Sequence, residues 1–457
     1  MKNKLIPLFL LSLISWKGMS QTPEITSWIR NLTGITGSHY VSGNSTAIID
    51  ADSANVQTVL YSANWVYVRT KGVPSYTTGP FLDGNPSLTT SQNAIFKISR
   101  FPVQNTGTLT ATTPGNIGIF CNGVALFDYR DGVAWNSNTN ALCGGPGNPP
   151  CPGGPGATMN WNRDAVVAER AGFDCSKGHP ANGNYHHHQN PSAFKLDQNI
   201  LSTICSLYDA DGLYSIDSTQ HSPLIGYAYD GFPIYGAYAY QNVNGTGPIV
   251  RMNSSYHLRN ITVRTTNPAG VAVPAGPAVS ATYPLGYFRE DYEYIPTSSA
   301  TPDYLDEHNG RFCVTPEYPQ GTYAYFATVD SNWNSAYPYV VGPTYYGTVT
   351  GSKVTAITEP VTVYTGTTGL TEASVQIPVQ ILYSNSGDFI AIQYFGLLAE
   401  PLQLELYDIQ GKRVRSSVIQ PGSTIGYMET STLYDGNYII KVIAGSRVRT
   451  EKIMIVR

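Results

Sequence analysis

Apolar and polar residues alternate with a period of two along most of this 457-residue chain. Val56-Gln57-Thr58-Val59-Leu60-Tyr61, Trp65-Val66-Tyr67-Val68-Arg69-Thr70 and Ala94-Ile95-Phe96-Lys97-Ile98 are examples, each bounded by Gly, Pro, Asn or Ser. That is the pattern of short strands with one buried face. A helical reading fits only Asp164 to Ala171, where Ala165-Val166-Val167-Ala168-Glu169-Arg170 contains no breaker and predicts one or two turns. The fold class expected is therefore mostly β: a large, irregular all-β domain over residues 21–345, then a small C-terminal β-sandwich over 379–457. Between them, residues 346–378 are rich in Thr, Val and Gly and read as a linker or connecting strands. In the last segment Phe389–Gln393, Leu402–Asp408, Tyr438–Ile443 and Lys452–Val456 form strands separated by turns such as Asp435-Gly436-Asn437, the spacing of a sandwich.

The front of the chain departs from this pattern. Lys2 and Lys4 precede an apolar run from Leu5 to Ile14 and the small-residue stretch Gly18-Met19-Ser20. This reads as a signal peptide over residues 1–20, cleaved before Gln21. The run is about half the length a helix needs to span a bilayer, and no later stretch is long enough, so no transmembrane segment is expected. Export places the six cysteines, Cys121, Cys143, Cys151, Cys175, Cys205 and Cys313, where disulfides persist, and all six are candidates for pairing. Cys143 and Cys151 bracket a Gly- and Pro-rich loop that a disulfide would tie down. Charged residues are 13% of the chain, about half the usual share, and the formal net charge is −4. Without a basic footprint, nucleic acid is excluded as a partner.

Chemistry concentrates in one stretch. Four of the eight histidines, His179, His186, His187 and His188, fall between Asp174 and Pro191. On a strand, His186 and His188 project to one face, and Tyr185 and His187 to the other. Two imidazoles so placed can share a metal ion, with His179 from the preceding loop and His221 from further on as additional ligands. Asp230, His257, Glu307 and His308 are further candidates to complete the site. Imidazole suits a transition metal such as copper or zinc.

The stretch Tyr185-His186-His187-His188 resembles the motif that names the YHYH-domain family, with His187 where the second Tyr is expected. The resemblance extends to Gly178-His179-Pro180, to His221–Gly236 and to Thr315–Phe326, and covers most of residues 25–330. The substitution keeps both same-face histidines. The family brings a site to examine and no reaction. The last 80 or so residues resemble the C-terminal sorting domain of type IX secretion cargo, through Leu406-Tyr407-Asp408, Gly411-Lys412 and Leu433-Tyr434-Asp435-Gly436-Asn437-Tyr438, although Ser384-Asn385-Ser386 departs from the usual proline-flanked entry. That resemblance implies the secretion machinery as partner and a secreted or cell-surface destination.

Other motifs are weaker. Tyr227, Tyr229 and Tyr235 surround Asp230-Gly231-Phe232-Pro233, which reads as a hairpin turn and also as part of a ligand-binding Tyr-rich face. Tyr185 and His187 are candidates for a supporting shell. Asp209-Ala210-Asp211-Gly212 lacks the terminal Glu of a calcium loop. No nucleophile elbow, phosphate-binding loop or His-Glu-x-x-His helix is present. Gly321-Thr322-Tyr323-Ala324-Tyr325-Phe326 repeats the Gly-x-Tyr entry of the histidine strand with no histidine. Two functional readings follow: a secreted metal-binding protein or metalloenzyme, and a non-catalytic surface module gripping polysaccharide or protein through tyrosines.

Overall fold

A computed structural model describes residues 21–82, 87–145, 147–154, 159–197, 203–208, 211–297, 301–366, 379–383, 388–394, 401–408, 412–444 and 447–455. Residues 1–20, which the sequence reads as a signal peptide, Asp209-Ala210 and Ser384-Asn385-Ser386 lie outside these residues. The chain divides into two compact units, Met1–Thr368 and Gly369–Arg457. Strands dominate both, and among the described residues no helix is long and apolar enough to cross a membrane.

The alternating segments read from the sequence pair as expected of strands. Ala94–Ser99, Trp65–Thr70 and Val56–Tyr61 lie side by side, antiparallel, and Ser352–Val354 and Thr362–Val363 extend this sheet at either edge. The Thr- and Val-rich segment thus adds edge strands to the first unit.

An eight-stranded sheet forms the centre of that unit. Its order from edge to edge is His179–Ala181, Asn184–His187, Ala125–Phe127, Asn116–Phe120, Leu224–Ala228, Pro233–Tyr235, Thr322–Phe326 and Gly310–Cys313. The two halves of this sheet repeat one another. Ile117-Gly118 and Ile225-Gly226 open equivalent hairpins whose turns, Asn122-Gly123 and Asp230-Gly231, close with the same hydrogen bonds: Phe120 N to Val124 O (2.9 Å) and Ala228 N to Phe232 O (3.0 Å). In each half a second hairpin adds its inner strand in parallel, pairing His187 with Leu126 and Tyr325 with Ile234. The halves meet where Tyr227 faces Ile119, flanked by Gly118 and Gly226. A Cβ on Gly118 would stand 2.7 Å from Tyr227 O, and one on Gly226 2.5 Å from Ile119 O, so both positions require glycine for close backbone approach.

In the second unit Leu402, Leu404 and Leu406 are fully buried, while Gln403 and Glu405 between them face outward. They pack with Ile440, Val442, Ile390 and Ile392, and a four-stranded and a three-stranded antiparallel sheet share this core. Period-two alternation therefore becomes two sheets with one apolar interior.

Two disulfides form, Cys143–Cys151 and Cys175–Cys205. The expectation that Cys121 and Cys313 are also paired is corrected: both are buried free thiols. Cys121 follows the Asn116–Phe120 strand and Cys313 ends the outermost strand, four positions away across the sheet. That is on the order of 19 Å, well beyond disulfide reach.

Candidate metal centre

Asn182 and Gly183 close the hairpin between His179–Ala181 and Asn184–His187, both with positive φ (51° and 79°), as a two-residue turn of this kind requires. The register sets His179 directly opposite His186. Alternation then puts His188 beside His186 and sends Tyr185 and His187 to the other face. The ligand atoms of His179, His186 and His188 lie within 4.8 Å of one another, and all three residues are buried.

Each ring is held. His186 stacks on Phe127 with centroids 3.8 Å apart, and His179 meets Phe173 edge-on at 4.8 Å. His186 Nδ1 lies 2.8 Å from Asn184 O, and His188 Nδ1 lies 2.5 Å from Asp128 O. A carbonyl only accepts, so both Nδ1 atoms carry the proton and both Nε2 atoms of the neutral rings present lone pairs. Those two Nε2 atoms are 3.1 Å apart. Burial, with further repulsion from neighbouring histidines, holds His186 well below the ordinary imidazole range; burial also lowers His188, against the opposing pull of Glu169. Neutral imidazole is the form that binds metal.

Glu169 joins the group. Asp164 caps the short helix Ala165–Ala168 by accepting from Val166 N (2.8 Å), and Glu169 follows at its C-terminal end. Glu169 Oε2 stands 3.3 Å from His179 Nε2 and 3.4 Å from His188 Nε2. Burial raises its pKa, but His179 and His188 outweigh that, leaving the carboxyl below its usual range.

The opposite face is structural. Tyr185 OH donates to Asp174, whose carboxylate also accepts from Gly79 N, Ser176 N and Gly178 N; burial pushes that carboxyl up to about 7. His187 bonds Tyr76 OH (2.7 Å) and Lys177 O (3.0 Å), and burial drives its pKa down to about 3.

The remaining sequence candidates fall elsewhere. His221 precedes the Leu224–Ala228 strand, three places across the sheet from the histidine strand, and packs on Tyr235 and Tyr240; it is not among the converging ligands. Tyr227 and Tyr235 have 0% exposure and Asp230 likewise, so the expected Tyr-rich binding face does not form from them. Tyr227 packs on Trp28, Tyr235 bonds Thr315 and Glu317, and Asp230 accepts from Tyr325 OH (2.5 Å) and Gly347 N (2.8 Å) to staple its turn. Apolar burial at the sheet's centre claimed these rings. The carboxylate that does reach the histidines, Glu169, carries no signal in the sequence beyond its place in a helical turn.

The second half of the sheet provides an internal comparison. Arg311, Ala324 and Phe326 occupy the positions of His179, His186 and His188. The supporting loop is nevertheless the same: Tyr323 OH donates to Asp306 as Tyr185 does to Asp174, and Asn309 (φ 65°) matches Lys177 (φ 63°). This fold holds its hairpin without histidines.

The chain matches the YHYH protein family over residues 95–338, more than half its length, and belongs to that family. Residues 386–456 match the secretion system C-terminal sorting domain, which assigns the chain to type IX export and a secreted or cell-surface destination. No curated protein matches the chain.

Proposed function

We propose that this exported YHYH protein binds one transition-metal ion, zinc or copper, through Nε2 of His179, His186 and His188. The observation that carries the reading is the pair of Nε2 atoms 3.1 Å apart whose ring protons are both committed to backbone carbonyls. Two lone pairs facing each other in a buried site repel, and a shared cation removes the repulsion. The second half supports it, because the same hairpin packs with Arg311, Ala324 and Phe326 where the three histidines would stand. Nitrogen donors with no thiolate or thioether suit Zn(II) or Cu(II) and disfavour Cu(I).

Metal-dependent unfolding tests the proposal. After dialysis against chelator, one equivalent of Zn(II) or Cu(II) raises the thermal midpoint of the wild type, since a ligand that binds only the folded state stabilises it. The His186→Ala, His188→Ala double variant shows no rise. A wild type indifferent to both ions overturns the reading.

A further inference from the structure

We infer that Glu169 is the fourth ligand of this centre, completing a tetrahedral set of three imidazoles and one carboxylate. The inference rests on the metal reading above and adds a donor that the histidine pattern does not contain.

Spacing is the first ground. Ligands at about 2.0–2.1 Å from a tetrahedral ion stand about 3.3 Å from one another. The measured separations are 3.1 Å between His186 and His188 Nε2, 3.4 Å between His188 Nε2 and Glu169 Oε2, and 3.3 Å between His179 Nε2 and Glu169 Oε2. Three of the six edges of the tetrahedron thus have the right length.

The carboxylate's own surroundings are the second. Glu169 Oε2 is buried, and the polar atoms beside it are the ring nitrogens of His179 and His188, 3.3 Å and 3.4 Å away. A buried carboxylate oxygen held only by these rings is costly, and a cation at the centre of the group offsets its charge. Its backbone is fixed, with Glu169 N donating to Ala165 O at 2.8 Å. One carboxylate also offsets half the charge of a divalent ion that three neutral rings leave uncompensated.

Accessibility is the third. The Glu169 side chain is 25% exposed, against 7% for His179 and 4% for His188. Glu169 is therefore the most exposed side chain of the group.

Zn(II) affinity by chelator competition and the visible spectrum of the Co(II)-loaded protein test this. The wild type is expected to show the intense bands of tetrahedral Co(II). Glu169→Gln is expected to weaken Zn(II) binding at least tenfold and to change the Co(II) spectrum, while leaving far-ultraviolet circular dichroism unchanged. Glu169→Ala serves in parallel should the Gln variant fail to fold, and added acetate should restore part of its affinity. Wild-type metal binding with both variants within twofold of it and spectrally identical overturns the assignment of Glu169 and leaves the histidine site standing. A wild type that binds neither Zn(II) nor Cu(II) overturns both.

Discussion

His179 and His186 face each other across a hairpin closed by Asn182 and Gly183, so one two-residue turn sets the separation of two proposed ligands. Gly183 has φ 79°, and a Cβ there would collide with Thr90 Oγ1. Gly183→Ala should cost about 1–3 kcal/mol of stability, measured by urea unfolding, and should weaken metal binding by disturbing the register.

The two faces of the histidine strand should separate cleanly under mutation. His187→Leu removes the bonds to Tyr76 and Lys177 O and should lower stability by about 1–3 kcal/mol. Metal stoichiometry, read by elemental analysis, should remain that of the wild type.

The duplicated loops predict matched effects in the two halves. Tyr185→Phe and Tyr323→Phe each remove one donor to an aspartate, the buried Asp174 or the half-buried Asp306, and each should cost about 1–2 kcal/mol in denaturant unfolding.

Thiol chemistry checks the cysteine pairing. Cys121 and Cys313 should resist a thiol reagent in the native protein and give two reactive thiols per chain once denatured without reductant. Replacing Cys175 and Cys205 by Ser releases a larger loop, with a sequence separation of 30 against 8 for Cys143 and Cys151. Loop entropy puts the losses at about 3.7 and about 2.6 kcal/mol respectively. Unfolding of the two double variants measures the difference.

Local patterns were the legible part of this protein. Alternation located the strands at Val56, Trp65, Ala94, Leu402 and Tyr438, because period-two burial is written directly into the residue order. The same rule placed His186 and His188 together and His187 apart. The Asp230-Gly231 turn signalled one inner hairpin and the Gly-x-Tyr entry at Gly321 a strand like the histidine strand, while the matching inner hairpin at Ile117-Gly118 carried too little signal to read, with two small residues and a turn. Tertiary placement was not legible. Glu169 reaches the histidines only through the position of the helix Ala165–Ala168, and His221 misses them because two strands intervene. Tyr227 and Tyr235, amphipathic by type, are claimed by the core for reasons that depend on which strands are central.

The metal content of the exported protein, purified without a histidine tag and never exposed to added metal, tests the central claim most directly. Elemental analysis should find about one equivalent of a single transition metal in the wild type and none in the His186→Ala, His188→Ala variant. Less than about a tenth of an equivalent in the wild type, or an equal content in the variant, would contradict the account.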